Sequence, residues 1–189
     1  MFKLKTFRTL GYKKENGLWI IEVKLEKIEQ LFDKKDPSPF RVKDLEESVA
    51  DYILTSAEEL GAKRVGKLRI LYGDPTTPNT KLIKTSINNF FNYQYEISKR
   101  DIYKTLGIGL KSLFIGIICM LISLSIIFTF EDVEGLHAKF ISEGALLLAW
   151  VSMWKPFNLF LYEWWPLRDD MIIYKRLASV EVDILSANN

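Results

Sequence analysis

An uncharged apolar run from Leu113 to Phe130 constrains this chain more than any other feature of its sequence. The hydrocarbon core of a bilayer is about 30 Å thick and a helix rises about 1.5 Å per residue, so about 20 residues cross it. A second apolar run, Ala145 to Trp165, follows an acidic segment, Glu131 to Gly144. The sequence therefore predicts a two-helix transmembrane hairpin with water-soluble sequence on both sides.

The rest of the 189-residue chain is long enough for one small domain. We predict a cytoplasmic α/β domain over residues 1–106, a hairpin over 107–166 with spans at about 109–130 and 145–165, and a cytoplasmic tail over 167–189. The expected fold class is an α+β membrane protein, in which a small domain with a mostly antiparallel sheet is joined to the hairpin.

Local patterns predict the elements of the soluble part. Asn16-Gly17 lies between β-rich runs at 6–13 and 18–25, which is typical of a β-hairpin because both residues tolerate positive φ. Further elements are expected as a short helix at 27–32, a helix from about Asp44 to Leu60, a strand at 65–72 and a long helix from Thr80. In the tail, a helix at 167–177 precedes a strand at 179–185. Because both termini are expected on the same side of the membrane, one hypothesis is that this strand completes the sheet of the N-terminal domain, and the sequence leaves that question open.

The distribution of basic residues predicts the orientation in the membrane. Only Lys139 lies between the two apolar runs. The basic residues near the other ends of the runs are Lys99, Arg100, Lys104 and Lys111 before the first run, and Arg168, Lys175 and Arg176 after the second. By the positive-inside rule, both termini are cytoplasmic and the segment 131–144 is external, in the cell (inner) membrane. A net charge of +2 argues against a nucleic-acid partner, because such proteins present a strongly basic face.

The second apolar run carries a polar face around Lys155. A charge near the bilayer midplane costs several kcal/mol unless it is paired or faces water. On a helical wheel, one side collects the polar residues Ser152, Lys155, Asn158, Tyr162 and Glu163. Two interpretations stay open: this face lines a subunit interface or pore, or the helix is half-interfacial, with Lys155 snorkelling and Pro156 marking a break.

The first apolar run carries a stripe of small residues at helical spacing, which are Ser112, Gly116, Cys119 and Ser123. Small residues allow another helix to approach closely. We expect the stripe to pack against the second span rather than against another copy.

No constellation of catalytic, cofactor-binding or metal-binding residues is recognisable in the sequence. His137 is the only histidine, and neither a Gly-x-Ser-x-Gly motif nor a glycine-rich phosphate loop is present. The acidic residues Asp33, Asp36, Glu46 and Glu47 could be considered as acid pairs, but they fall on a lysine-rich turn and a wet helix face. We therefore predict a protein that is not an enzyme and has no cofactor.

Two stretches carry a family resemblance. They are Asp36-Pro37-Ser38-Pro39-Phe40, and Trp154-Lys155-Pro156 followed by Leu161-Tyr162-Glu163-Trp164-Trp165-Pro166-Leu167-Arg168. Together they resemble an uncharacterised family of small prokaryotic two-span membrane proteins with a cytoplasmic α/β domain. The resemblance implies an architecture and no activity.

The sequence favours a membrane-anchored cytoplasmic module for binding, sensing or assembly. Its expected partners are the lipid bilayer and either further copies of the chain or another membrane protein, and no small-molecule ligand can be named. The alternative is a homo-oligomeric channel lined by the polar face of the second span.

Overall fold

The computed structural model describes residues 11–39, 43–74 and 79–186. The strands are β1 (Lys13–Glu15), β2 (Leu18–Leu25), β3 (Val65–Tyr72) and β4 (Glu181–Ser186), and the helices are α1 (Glu47–Leu60), α2 (Thr80–Phe130), α3 (Leu136–Asn158) and α4 (Trp164–Ala178). A π-helical segment, Leu159–Glu163, joins α3 to α4, and 3₁₀ turns lie at Ile28–Leu31 and Ala62–Arg64. The chain forms two compact units: a sheet unit of residues 1–97 and 169–189, and a hairpin unit of residues 98–168.

The four strands form one mixed sheet in the order β1-β2-β3-β4. Strand β1 is antiparallel to β2, whereas β2, β3 and β4 run parallel. The prediction of a mostly antiparallel sheet is therefore wrong. The physical reason is that the chain makes a crossover between β2 and β3 and another between β3 and β4, and a crossover returns the next strand in the same direction. Alternation of apolar residues reports which face is buried and carries no information on strand direction.

The predicted turn between the first two strands is present. Asn16 and Gly17 adopt φ values of 51° and 81°, as a two-residue turn with positive φ at both positions requires. Residues 6–10, which the sequence assigned to the first strand, lie outside the described residues. Helix α1 begins after Glu46, whose carboxylate accepts hydrogen bonds from the Ser48 and Val49 amides, so Glu46 caps the helix.

The core of the sheet unit lies against one face of the sheet. Ile21 on β2 and Leu68 and Ile70 on β3 are fully buried in it. Helices from three parts of the chain cover that face, and their buried residues include Ile53 and Leu60 of α1, Ile87 and Phe91 of α2, and Ile173 and Leu177 of α4. Because α2 and α4 both contribute, the segments before and after the hairpin unit share one hydrophobic core.

Strand β4 completes the sheet by pairing with β3. The register aligns Leu68 with Val182 and Ile70 with Ile184, which continues the buried face onto β4. The hypothesis that the C-terminal strand joins the N-terminal sheet is therefore confirmed. It follows that the hairpin unit is an insertion in the crossover between two adjacent parallel strands.

The hairpin unit contains parts of two helices that are long and apolar enough to cross a membrane by length and composition. Helix α2 has 51 residues, and the segment Leu136–Ala178 has 43. The connection between them is shorter than the predicted segment 131–144, because α3 already begins at Leu136. The acidic residue Glu143 and the basic residue Lys139 therefore lie on a helix.

Candidate functional site

The hairpin unit is held together by a seam of small residues. An added Cβ on Gly116 would lie 2.9 Å from Met153 Sδ and 3.0 Å from the Ser152 carbonyl oxygen. At Gly109, an added Cβ would lie 3.1 Å from the Phe160 ring. Such approach is possible only where a side chain is missing, so α2 packs closely against α3 and the π segment that follows it.

The small-residue stripe on α2 faces this seam. Gly116 and Ser123 are buried, and Ser112 and Cys119 are half-buried. Ser152 Oγ donates a hydrogen bond to the Ala149 carbonyl at 2.8 Å and a longer one to the Gly116 carbonyl at 3.5 Å. Within the hairpin unit, the stripe therefore contacts the second helix of the same chain.

Sequence reasoning missed the complementary residues on the second helix. Ala138, Ala145 and Leu159 are buried at 5%, 3% and 3% exposure, and Ser152 lies between the last two at the same spacing. This spacing is seven residues, the repeat of a coiled-coil seam. The signal was present in the sequence, but Lys139 and Glu143 obscured it by making residues 131–144 resemble a loop.

The predicted polar face is divided by the structure. Lys155 Nζ lies 3.4 Å from Glu163 Oε1, and Asn158 Nδ2 donates to the same oxygen at 2.5 Å. Ser152 instead turns toward the seam, and Tyr162 is 68% exposed. The three residues Lys155, Asn158 and Glu163 thus form one polar cluster in which the lysine charge is paired within its own chain.

The backbone change that accompanies this cluster begins at Pro156. Proline has no amide hydrogen, and the chain then forms the π segment Leu159–Glu163. The Leu159 amide is shared between the Lys155 and Pro156 carbonyls. A π segment widens the helix locally and adds a residue to the turn. The sequence predicted a break at Pro156 but gave no signal for this type of helix.

Beside the polar cluster, whose Asn158 lies at its edge, the hairpin unit exposes a large aromatic surface. Trp150 and Trp154 are 72% and 73% exposed, and Leu161 is 55% exposed. They border an open groove of about 550 Å³, lined mainly by apolar side chains of both helices, including Met120, Leu124, Leu146 and Met153. A continuous apolar surface of this kind is unusual on a protein that is surrounded by water.

The sheet unit carries an acidic cleft with aromatic walls. Its volume is about 260 Å³, and it is lined by Asp33, Asp44, Glu47, Asp51, Leu54, Phe90, Phe91, Gln94 and Tyr174 among others. Burial, followed by the charges of Asp36 and Asp33, raises the pKa of Asp44. Burial, followed by the charge of Asp170, also raises the pKa of Tyr174. Among the described residues, no basic side chain lines the cleft, so its acidic and aromatic lining suits a positively charged group.

The four acidic residues singled out in the sequence have mainly structural contacts. Asp36 accepts hydrogen bonds from the Ser38 and Asp44 amides, and Asp33 accepts one from the Lys35 amide. Glu46 caps α1, whereas Glu47 lines the cleft. Within the described part of the chain, no group of three or more histidine, cysteine, aspartate or glutamate side chains is arranged to hold a metal ion.

The open face of the sheet carries a network of ion pairs. Lys67 Nζ lies 3.2 Å from Asp183 Oδ2, and Arg69 lies 3.1 Å from Glu22 and 3.3 Å from Glu15. Hydrogen bonds from Lys13 and Arg69 lower the pKa of Glu22 and outweigh the opposing effect of its burial. These contacts link all four strands, and we interpret the network as structural.

No protein-family model, curated protein or solved structure matches this chain. The resemblance to small prokaryotic two-span membrane proteins therefore stays a prediction.

Proposed function

We propose that this protein is a membrane-anchored module that is not an enzyme, with the hairpin unit in the cell membrane and the sheet unit binding a partner in the cytoplasm. One observation carries the proposal: β4 pairs with β3 although the hairpin lies between them in the chain. Two paired strands occupy the same aqueous compartment. The chain between them must therefore cross a membrane an even number of times, and two apolar helices supply two crossings.

The exposed surface of the hairpin unit supports the same proposal. Phe114, Leu147 and Trp150 are exposed by 66%, 66% and 72%. Exposure of such side chains to water costs about 1.5 to 3 kcal/mol each, so a bilayer is the natural environment for this surface.

The register of the seam supports an interfacial position for Lys155. Gly116 lies against Ser152, and the two helices run in opposite directions. Lys155 follows Ser152 by three residues, and Leu113 precedes Gly116 by three residues, so Lys155 lies about level with Leu113, where the first apolar run begins. The polar cluster therefore lies near the cytoplasmic end of the spans, where long side chains reach the interface.

The acidic cleft is the surface that we assign to the partner. Its acids, Asp44 and Asp51, lie beside the aromatic residues Phe90 and Tyr174. A lysine or arginine side chain would meet both carboxylates and ring faces there, a combination that favours guanidinium and ammonium groups. We infer a protein partner that presents a basic segment.

Extraction and mass measurements test the anchor. Membranes from cells that express the full chain are washed with alkaline carbonate, and the protein is then purified in nanodiscs for native mass spectrometry. The proposal predicts retention in the washed membranes and a mass of one or two copies. Release by carbonate would contradict membrane insertion.

Site-directed crosslinking tests the cleft. A photoreactive amino acid at Leu54, which lines the cleft, is compared with one at Lys24, which is exposed on the open face of the sheet. We expect a discrete crosslinked product from position 54 that is lost with Asp44→Asn and Asp51→Asn together. Equal products from positions 54 and 24, or insensitivity to the two asparagines, would refute the assignment.

A homo-oligomeric channel is the second candidate, because Tyr162 and Lys155 are exposed on the hairpin unit and several copies would cover them. A pore requires a ring of several copies, and its ion preference should change with Lys155→Leu. Neither result is expected of an anchor, which should keep its partner and its fold when Lys155 is replaced.

A further inference from the structure

One exposed ridge of helix α2 combines three basic side chains with a glycine. Arg100, Lys104, Gly107 and Lys111 follow one another at steps of four, three and four residues, so they lie on one face of the helix. All four are exposed. Gly109 lies on the packed seam. Because it follows Gly107 by two residues, and each residue of a helix turns by about 100°, the two glycines point about 200° apart. The ridge therefore faces away from the second helix of the hairpin.

Gly107 leaves a notch in the middle of this ridge. An added Cβ there would have no atom within 4 Å, in contrast to the crowded positions at Gly109 and Gly116. Packing therefore does not explain the glycine, which costs about 1 kcal/mol relative to alanine inside a helix. The notch lets a ligand approach the helix backbone between Lys104 and Lys111.

The lower end of the ridge has the depth of lipid headgroups. Leu113 begins the first apolar run, and Lys111 and Gly107 precede it by about 3 and 9 Å along a helix, whereas Lys104 and Arg100 precede it by about 14 and 20 Å. The headgroup layer on each side of the hydrocarbon is about 5 to 8 Å thick, so Lys111 lies within it, Gly107 lies at its outer edge, and Lys104 can reach it only through its long side chain. In the antiparallel seam, Trp164 lies about level with Lys104, and tryptophans concentrate at this interface.

The charges at the two ends of the hairpin unit differ in sign. Two acidic residues adjoin the ridge: Asp101 lies about 100° around the helix from Arg100, and Glu96 lies one turn before Arg100 on the same face, at the end of the ridge farther from Leu113. The opposite end carries one basic residue, Lys139, and four acidic residues, which are Glu131, Asp132, Glu134 and Glu143. Only the end that carries the ridge is suited to an anionic headgroup.

We propose that Lys104 and Lys111 bind the phosphate of an anionic phospholipid in the notch at Gly107. The phosphate oxygens accept hydrogen bonds from the two lysine ammonium groups, and Arg100, about two turns from the notch, adds positive charge without reaching the phosphate. The inference deepens the proposed function, since it rests on insertion of the hairpin in a membrane. General attraction by positive charge would involve every basic residue at the cytoplasmic end. The proposed site instead confines the lipid preference to this one ridge.

Nanodiscs of phosphatidylcholine, with or without one part in five of phosphatidylglycerol, provide the test. Native mass spectrometry counts the lipids that remain bound to the full chain after release from the disc. We expect the wild type to retain phosphatidylglycerol about tenfold over phosphatidylcholine, and the Lys104→Gln, Lys111→Gln double variant to lose most of that preference. Gly107→Leu keeps every charge but fills the notch, and should also lose most of the preference.

Two control variants are matched to these changes. Gly144→Leu introduces the same side chain on α3, where an added Cβ has no atom within 4 Å, and Lys139→Gln removes a charge from the acidic end. Both should retain phosphatidylglycerol like the wild type.

Several outcomes would overturn the inference. A Gly107→Leu variant that retains lipid like the wild type would show that charge alone attracts the lipid. An inserted wild type that retains phosphatidylglycerol and phosphatidylcholine equally would overturn it as well. So would inorganic phosphate that stabilises the protein in detergent as much as phosphatidylglycerol does, because free phosphate would then be the ligand. Failure of the wild type to enter phosphatidylcholine discs would instead contradict membrane insertion, and so the proposed function itself.

Discussion

Gly116 is the most tightly enclosed glycine of the hairpin unit. Its missing side chain lets the Ser152 carbonyl and the Met153 sulfur approach to distances that a Cβ cannot share. One of these neighbours is backbone, so it cannot move aside as a flexible side chain can. The two helices would have to separate to admit any larger residue.

We therefore expect Gly116→Leu to destabilise the hairpin unit by about 1 to 3 kcal/mol, the usual cost of overpacking. Thermal unfolding in detergent, followed by helical circular dichroism, measures the effect. Gly144→Leu is the matched control and should leave the melting temperature unchanged or raise it, because that position is open. Equal melting temperatures for Gly116→Leu and the wild type would contradict the packed seam.

Two glutamates of the sheet unit should respond to pH with opposite signs. Glu22 has a lowered pKa because hydrogen bonds from Lys13 and Arg69 outweigh its burial, whereas burial and then Asp170 raise the pKa of Glu58. The stabilisation from Glu22 is present above its unfolded pKa and is lost as the pH falls through its folded pKa. Glu58 destabilises the folded state at neutral pH, and that penalty disappears as the pH falls through its folded pKa.

At pH 7 we expect Glu22→Gln to lower the stability of the sheet unit by about 0.5 to 1 kcal/mol and Glu58→Gln to raise it by a few tenths. Both differences should shrink on acidification to below the usual carboxyl range. Hydrogen exchange of peptides from β2 and β3 at several pH values reports these changes. The same sign for both variants at pH 7 would refute the assignment.

Helix α4 ties the chain that leaves the hairpin to the core of the sheet unit. Leu177 is fully buried there, whereas Leu185 on β4 is 47% exposed. We expect Leu177→Ala to cost about 2 to 5 kcal/mol and Leu185→Ala less than 1 kcal/mol. Denaturant unfolding of the full chain in detergent, with hydrogen exchange of β3 as the probe, distinguishes them. Similar losses for both variants would show that α4 is not part of the core.

The elements differ in how far the sequence determined them. The alternating run of β3 and the start of α2 after a proline-rich turn were predicted at Val65–Tyr72 and Thr80. The start of α3 was missed, because polar residues such as His137 and Glu143 resemble a loop when the helix facing them is unknown. The π segment was missed because Pro156 predicts a lost hydrogen bond without specifying how the following turns adjust.

At the scale of the whole molecule, two apolar helices interrupt a crossover between adjacent parallel strands. Both ends of the hairpin enter elements of one hydrophobic core, in which Ile87 precedes the hairpin and Leu177 follows it. The expected position of both termini on one side of the membrane suggested that the final strand could join the N-terminal sheet. Its pairing with β3 could not be predicted, because that is a long-range contact that no local pattern encodes. The acidic cleft was likewise not predicted, because its residues come from three distant segments.

In the proposed topology, the hairpin crosses the membrane twice and leaves both ends of the sheet unit on one side. Cysteine accessibility is the measurement that decides whether it does. In a Cys119→Ser background, single cysteines replace Val133 between the helices, Lys63 before the hairpin and Ser179 after it, all of which are exposed. We expect an impermeant maleimide to label position 133 in intact cells, and to label positions 63 and 179 only after permeabilisation. Labelling of position 179 in intact cells, or the same accessibility at all three positions, would contradict it.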